Sequence, residues 1–542
     1  MLKAGFLQKP LNGDLLFYVI LIASMITIGW DNILFKSQSE LHLWRQSDCI
    51  SITDYYSKGN GFFEPEMHSQ ISDGRESGKT VAEFPIIYYV VGKIWSVTGM
   101  QLWIFRLLTA LTSILAMVFL YKTVYRITHS WYWSVIAPLI LLISPLYAFY
   151  GIGFLTNVPA LNFVIIGWCV FYSYYESAKL KYLLWTMALF SLGGLLKVSS
   201  MTSHVVLMIL FGLEFIGLAS FGKGQKLFSK KLLSGAILLI PVAINLLWYR
   251  GFVEWYCTLH SGRYSFTEPK PFWGYSYDDK VNIVRIFFSE TLGMIYAPHV
   301  WLTFGGMMIL LLVKFRQVNK IFLAAMILIF LGHAAFSLLF FFCLDRHDYY
   351  HADILVWSVF VYVAFAKYLT SNEHSFSKHK LTRVFVAVSV IWALMGSSSI
   401  NYLKFNGCPP SEAPYRELFC NRSLMNTIIG FNEGMKRMSL YRNVGEELTN
   451  RGFTKSVKVF SSNDNSFNST LVLCDHPGFT NLVNAFSDSA FTAEYIRHGA
   501  QLMFVENAQF ETRGVKSFMK YKLFEIEHIS VYDLRPYASQ LK

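Results

Sequence analysis

The chain has 542 residues, of which 54% are hydrophobic and only 15% charged, and 47 of them are phenylalanine. Soluble domains carry about 25% charged residues, so the composition excludes a soluble protein and indicates a polytopic α-helical membrane protein. The formal charge of +12 does not point to nucleic acid, because the basic residues sit in short connections between apolar runs.

Eleven runs reach bilayer length, which is about 20 residues. They lie near 15–33, 102–121, 133–150, 156–175, 182–198, 200–220, 232–249, 291–313, 320–342, 350–369 and 383–400. The first has no small-residue cleavage site and is expected to be retained as a helix. Basic residues mark alternate connections (Lys122 with Arg126, Lys179 with Lys181, and the segments 223–231, 314–320 and 367–383), the pattern of cytoplasmic loops. With the amino terminus inside, 34–101, 250–290 and 401–542 face outward. The expected layout is a membrane domain over 1–400, with 34–101 as its first outer segment, and an exported α/β domain over 401–542. No internal repeat is visible.

In the first outer segment, "LHLWRQSDCIS" places Leu41, Trp44, Asp48, Ile52 and Tyr55 or Tyr56 on one helical stripe, and one of those positions is a carboxylate. An exposed pair of Asp48 with Arg45 would gain only ~0.5 kcal/mol and does not explain the stripe position. A partly desolvated carboxylate is a stronger base. The reading therefore has Trp44 and Ile52 buried beside Asp48. Asp54 is then turned about 120° off the stripe, in solvent. Further on, "AEFPIIYY" sets Glu83 before Pro85, either as a first-turn acid complementing a helix dipole or as a carboxylate that orients substrate or metal. The following "FPIIYYVVGKIWSVTGM" suits a helix lying in the membrane interface.

Charges near membrane depth are functional candidates by default. Lys197, in "GGLLKVSSM", either snorkels or meets a lipid phosphate. In "LDRHDYYHADILVW", Arg346 and His347 suit a phosphate, and Tyr349 and Tyr350 suit an interface belt. His347 and His351 are four apart, but no second motif completes a metal site, and none is assigned. In the tail, "SVKVFSS", "TLVLCD", "QLMFVEN" and "HISVYDL" read as strands, and "NVGEELTNRG" and "AEYIRHG" as helices. Cys408 and Cys420 are close enough in sequence for a disulfide, which spacing alone does not fix.

Together "LWRQSD", "EFP", "GGLLK", "HDYY" and an exported α/β tail resemble a GT-C class membrane glycosyltransferase of the bacterial protein O-mannosyltransferase or lipid A aminoarabinose transferase type. The resemblance implies inverting transfer of a sugar from a polyprenyl-phosphate donor to a protein, lipid or glycan acceptor at the outer face of a bacterial inner membrane. Asp48 matches the catalytic acid of the first loop. Trp44, Arg45, Gln46, Glu83, Asn157, Lys197, Arg346, His347, Tyr349 and Tyr350 form the expected substrate-binding set. Two positions depart from the pattern. Phe84 stands where the aminoarabinose type has a lysine. Asn157, in "GFLTNVPAL", stands where many relatives carry an acid, and an amide cannot neutralise a cation. No cofactor is assigned, a divalent metal is compatible, and the expected partners are the lipid donor, the acceptor and membrane lipids, with no nucleic acid. A transporter would gather its polar groups near mid-membrane, often with repeats. A membrane-anchored binding or assembly protein would need no such carboxylates.

Overall fold

The computed structural model describes residues 11–38, 41–222, 226–262, 269–371, 380–407, 417–482, 488–507 and 513–541. The chain forms two compact units, Met1–Lys36 with Phe105–Trp248 and Thr267–Ile429, and Ser37–Ile104 with Tyr249–Phe266 and Gly430–Lys542.

Among the described residues, seven helices are long and apolar enough to cross a membrane, or eight if the pair Tyr277–Ile295 and Pro298–Val313, bent by 86°, counts as one. This is a mostly helical, multi-pass integral membrane protein. Three shorter apolar helices, Gly13–Thr27, Trp131–Leu142 and Leu180–Leu196, occupy further runs expected to span. Their shortness has local causes. The run at 133–150 is cut where Ser144 caps a new helix that starts at Pro145, since a proline is at home in a first turn and not in a helix interior. Leu180–Leu196 stops because Lys197 adopts an extended conformation.

In the first unit, charges inside the helical packing are matched. Arg106 donates to the carbonyls of Lys36 and Ile152 at 3.0 and 2.9 Å. Lys404 pairs with Asp348 at 3.2 Å, and the Tyr150 hydroxyl donates to the same carboxylate at 2.6 Å. Breaking such a pair leaves an uncompensated buried charge.

The second unit is built around a five-stranded sheet of order β2-β1-β3-β5-β4. Its strands are β1 Lys458–Ser461, β2 Gly478–Thr480, β3 Ala500–Glu506, β4 Lys522–Ile526 and β5 Ile529–Asp533. β2, β1 and β3 run parallel, while β3, β5 and β4 are antiparallel. Side chains alternate between faces. Val459, Leu502, Phe504 and Val531 pack with Tyr441, Val444 and Leu448 of helix Arg422–Asn450, while Phe460, Met503 and Tyr532 pack with Tyr495 and Ile496 of helix Ser489–Arg497. Three expected strands are present as β1, β3 and β5. The fourth, "TLVLCD", is instead the helix Ser469–Cys474. Its first turn is satisfied from outside, because Asp464 accepts from the backbone and hydroxyl of Thr470 and Ser466 Oγ accepts from Ser469 N. β2 and β4 carried no clear strand signal, one being three residues long and the other, "KLFEI", interrupted by a glutamate and without a buried residue.

Residues 37–104 belong to this same unit. Helices Leu43–Ser57 and Ile86–Thr98 pack closely, because a Cβ on Gly92 would stand 2.6 Å from the Thr53 carbonyl. Ser69 bridges Gly478 in parallel, Gln70 N donates to Gly478 O at 2.8 Å, and Gly478 N donates to His68 O at 3.0 Å. The segment at 68–70 thus extends the free edge of β2.

Candidate active site

Helix Leu43–Ser57 carries Asp48 into the interior of the second unit, where the residue is only 3% exposed. One carboxylate oxygen, Oδ1, accepts from Asn468 Nδ2 at 2.8 Å, and Oδ2 lies 3.5 Å from Arg45 Nη1. The same guanidinium donates through Nη2 to Glu83 at 2.6 Å. Glu83 enters just before Pro85 and helix Ile86–Thr98, so the Gly92 contact between the two helices also sets the distance between their charges. Beside them Cys49 Sγ lies 3.3 Å from the Tyr88 hydroxyl.

Burial pushes the Asp48 carboxyl up to about 7, against the opposing pull of Arg45 and Asn468, and Glu83 and Asp464 add to the rise. For Arg45, burial works against the charge, but Glu83 and its other neighbours outweigh it and the guanidinium stays protonated. The result is a carboxyl that exchanges a proton near neutral pH beside a fixed cation, the requirement for a general base.

Asn468 was not visible as a site residue. It occupies the N-cap of helix Ser469–Cys474, where an asparagine normally accepts from the first turn, yet its side chain makes no cap bond. Asp464 and Ser466 serve that turn, which releases the Asn468 amide for Asp48. The one sequence signal is the polar density of "SNDNSFNST" in an apolar context.

Two expectations for this helix are corrected. Trp44 is 57% exposed and does not bury a face beside Asp48, because the helix begins only at Leu43, after His42 in a left-handed conformation (φ 57°), and is enclosed from Gln46 onward. Asp54 is not in solvent but 7% exposed, with Lys58 Nζ at 2.6 Å and His68 Nε2 at 3.5 Å from its Oδ2. A single stripe cannot describe a helix covered on every side. Gln46 is buried and donates to the Leu41 carbonyl at 2.7 Å, bracing the turn that enters the helix.

The remaining expected residues lie in the first unit. Lys197 places its ammonium 4.7 Å from the centre of the Tyr350 ring, and nearby Ser200 donates to Asp353 at 2.8 Å. Asn157 donates to the Tyr349 carbonyl at 3.0 Å, fixing the backbone of the "HDYY" turn. Arg346, at φ 59°, forms a two-point pair with Glu290 at 2.6 and 3.2 Å, and Thr427 and Ser423 also donate to that carboxylate. His347 Nδ1 lies 2.6 Å from the Asp345 carbonyl. His351 ends the short 3₁₀ turn Asp348–His351 that His347 caps, and its ring contacts Cys343 O and His333. Cys420 is buried, and Cys408, the other half of the pairing considered above, lies outside the described residues.

Residues 82–248 match the family model of dolichyl-phosphate-mannose-protein mannosyltransferases. No curated protein matches the chain. The fold is similar to that of ArnT from Cupriavidus metallidurans in the apo state, with a TM-score of 0.56 and 10% identity over 96% of this chain and 98% of that one. ArnT bound to undecaprenyl phosphate matches at a TM-score of 0.54 and 11% identity, over 97% and 98%. The archaeal oligosaccharyltransferase AglB from Archaeoglobus fulgidus, in complex with an inhibitory peptide and a dolichol-phosphate, matches at 0.52 and 10%, over 92% and 70%. The chain thus shares the fold of ArnT and AglB, and its residues 82–248 are similar to the dolichyl-phosphate-mannose-protein mannosyltransferases.

Proposed function

We propose that the protein transfers a sugar from a polyprenyl-phosphate donor to a hydroxyl-bearing acceptor, with inversion at the anomeric carbon and with Asp48 as the general base. The observation that carries this reading is the buried Asp48 carboxyl, raised to about 7 beside the Arg45–Glu83 pair. The acceptor O–H gives its proton to Asp48 while the oxygen attacks the anomeric carbon from the face opposite the phosphate. The bond from that carbon to the phosphate oxygen breaks, and the phosphate departs with the electron pair. Lys197, Arg346 and His347 are assigned to the leaving phosphate as the groups able to donate to its oxygens. Trp44, Arg45, Gln46, Glu83, Asn157, Tyr349 and Tyr350 complete the substrate-binding set. Arg45 also limits the rise of the Asp48 pKa. Undecaprenyl phosphate and dolichol-phosphate on the similar folds support a lipid-phosphate donor.

The reading places the protein in a bacterial inner membrane with eleven spans, counting the three shorter apolar helices and the bent pair as crossing. The tail then lies on the periplasmic side, and the domains divide near residue 400. Incubating membranes that contain the protein with radiolabelled polyprenyl-phosphate sugars tests the class. Consumption of one donor is expected, and a panel consumed no faster than in membranes lacking the protein contradicts it.

A further inference from the structure

Helix Leu43–Ser57 and helix Ser469–Cys474 are joined at two places. At one, Asn468, which precedes the second helix, donates to Asp48. At the other, Asp475, which follows that helix in a left-handed conformation (φ 55°), meets Asp54, six residues along from Asp48, and His68. One ligand atom from each of Asp54, His68 and Asp475 lies within 4.8 Å of the others.

The two junctions differ in chemistry. Asp48 and Asn468 form an ordinary hydrogen bond, whereas His68 is 2% exposed and its Nε2 makes no hydrogen bond, although it stands 3.5 Å from Asp54 Oδ2 and 3.8 Å from Asp475 Oδ1. A buried ring nitrogen left in this state costs free energy, yet it is aimed between two carboxylates. Ligands held at about 2.0–2.1 Å around a tetrahedral zinc stand about 3.3 Å apart. On the two His68 contacts, at 3.5 and 3.8 Å, the ligand atoms need to close by about 0.2 and 0.5 Å, while the two carboxylates, within 4.8 Å of each other, draw together around the ion.

We propose that Asp54, His68 and Asp475 form a binding site for one divalent transition-metal ion, of which zinc is the type, clasping the first polar segment to the tail. One imidazole and two carboxylates suit a borderline ion better than calcium or magnesium, which take oxygen only. Water supplies the remaining positions. Each carboxylate also carries a lysine: Lys58 lies 2.6 Å from Asp54 Oδ2, and Lys455 pairs with Asp475 Oδ2, the oxygen turned away from His68. Lys58 is thus the competitor of the ion.

The metal also sets the tautomer of His68. With Nε2 on the ion, Nδ1 carries the proton and donates to Ser51 Oγ at 2.8 Å, and the Ser51 proton turns to Asn468 Oδ1 at 3.4 Å. Such a partner on the second ring nitrogen is usual for a ligating histidine. Asn468 is the residue that holds Asp48, so the site steadies the candidate base. That last consequence rests on the reading of Asp48 given above; the metal site does not.

The test uses the full-length protein purified in detergent, stripped with a chelator, desalted and titrated with zinc alone. Zinc retained after a second desalting is measured by mass spectrometry. The expected result is one zinc per chain, falling at least tenfold in His68→Gln and in Asp475→Asn, and binding more tightly in Lys58→Ala. Asp475 is partly exposed, so Asp475→Asn serves if His68→Gln does not fold. Zinc absent from the wild-type protein, or undiminished in Asp475→Asn, overturns the proposal. The assay contains no donor or acceptor, so its failure and a failure of sugar transfer are read separately.

Discussion

Asp48 and Asp464 are buried carboxylates of the same unit, held in opposite ways. Asp464 takes a backbone N–H and a hydroxyl on each oxygen, at 2.6 to 2.8 Å from Ser466 and at 2.7 Å from Thr470. Asp48 takes an amide at 2.8 Å and faces a guanidinium at 3.5 Å. Short neutral donors from its own loop make Asp464 a staple that shapes the 464–470 turn. At Asp48 the distant cation adjusts the charge without locking either oxygen. Burial raises both carboxyls, and they differ in the donors that surround them.

The largest effect that sharpens this contrast is on turnover. Asp48→Asn keeps size and the contact to Asn468 but removes the basic lone pair, and it is expected to lower turnover by about 10²–10⁴-fold. Its effect on stability has the opposite sign. The folded carboxyl titrates near 7, above its unfolded value. Its contribution to stability is therefore present below about pH 4 and lost as pH rises through about 7. Thermal unfolding in detergent at pH 8 is expected to show Asp48→Asn at least as stable as the wild-type protein. Burial raises the Asp464 carboxyl as well, but there the four donors decide the outcome of Asp464→Asn. Its amide nitrogen would face donors, so it is expected to lose roughly 2–3 kcal/mol of stability, seen as a lower unfolding midpoint, while the pH dependence of turnover in the folded fraction is unchanged.

How far these roles were legible follows from distance along the chain. Asp48, Arg45 and Glu83 stood out because each is a charge in apolar surroundings, and the helices stood out because a bilayer demands about 20 apolar residues. Asn468 is 420 residues from its partner, and an asparagine before "STLVLC" reads as a cap. His68 showed no signal either, since it lies outside any helix and its carboxylates come from helix Leu43–Ser57 and from the tail. The strand expected over "TLVLCD" failed because a short apolar run fits a buried helix as well as a strand, and the Asp464 staple, though close in sequence, is one of several polar residues of that loop that could have capped it.

A smaller effect compares the two units. Lys197 is expected to give a charge-assisted phosphate contact of ~1.5–3 kcal/mol. Lys197→Ala should raise the apparent KM for lipid donor by roughly tenfold or more and leave the pH dependence in place. An unchanged KM removes Lys197 from the donor site. The smallest effect is at the amide. Asn468 pulls the Asp48 pKa down, so Asn468→Ala should move the ascending limb of the pH–rate profile to higher pH, with a few-fold lower rate at pH 7 and a rate that recovers on raising the pH.

The most direct measurement is the pH dependence of kcat/KM for the purified protein with a consumed polyprenyl-phosphate sugar, beside Asp48→Asn under the same conditions. The wild-type rate is predicted to rise tenfold per pH unit in the acid range and to level off above about 7, the value at which the Asp48 carboxyl loses its proton. Asp48→Asn is predicted to lack that limb and to be slow throughout. A wild-type profile flat between pH 5 and 8, or an Asp48→Asn protein that keeps both the limb and the native rate, contradicts the assignment of Asp48 as the base.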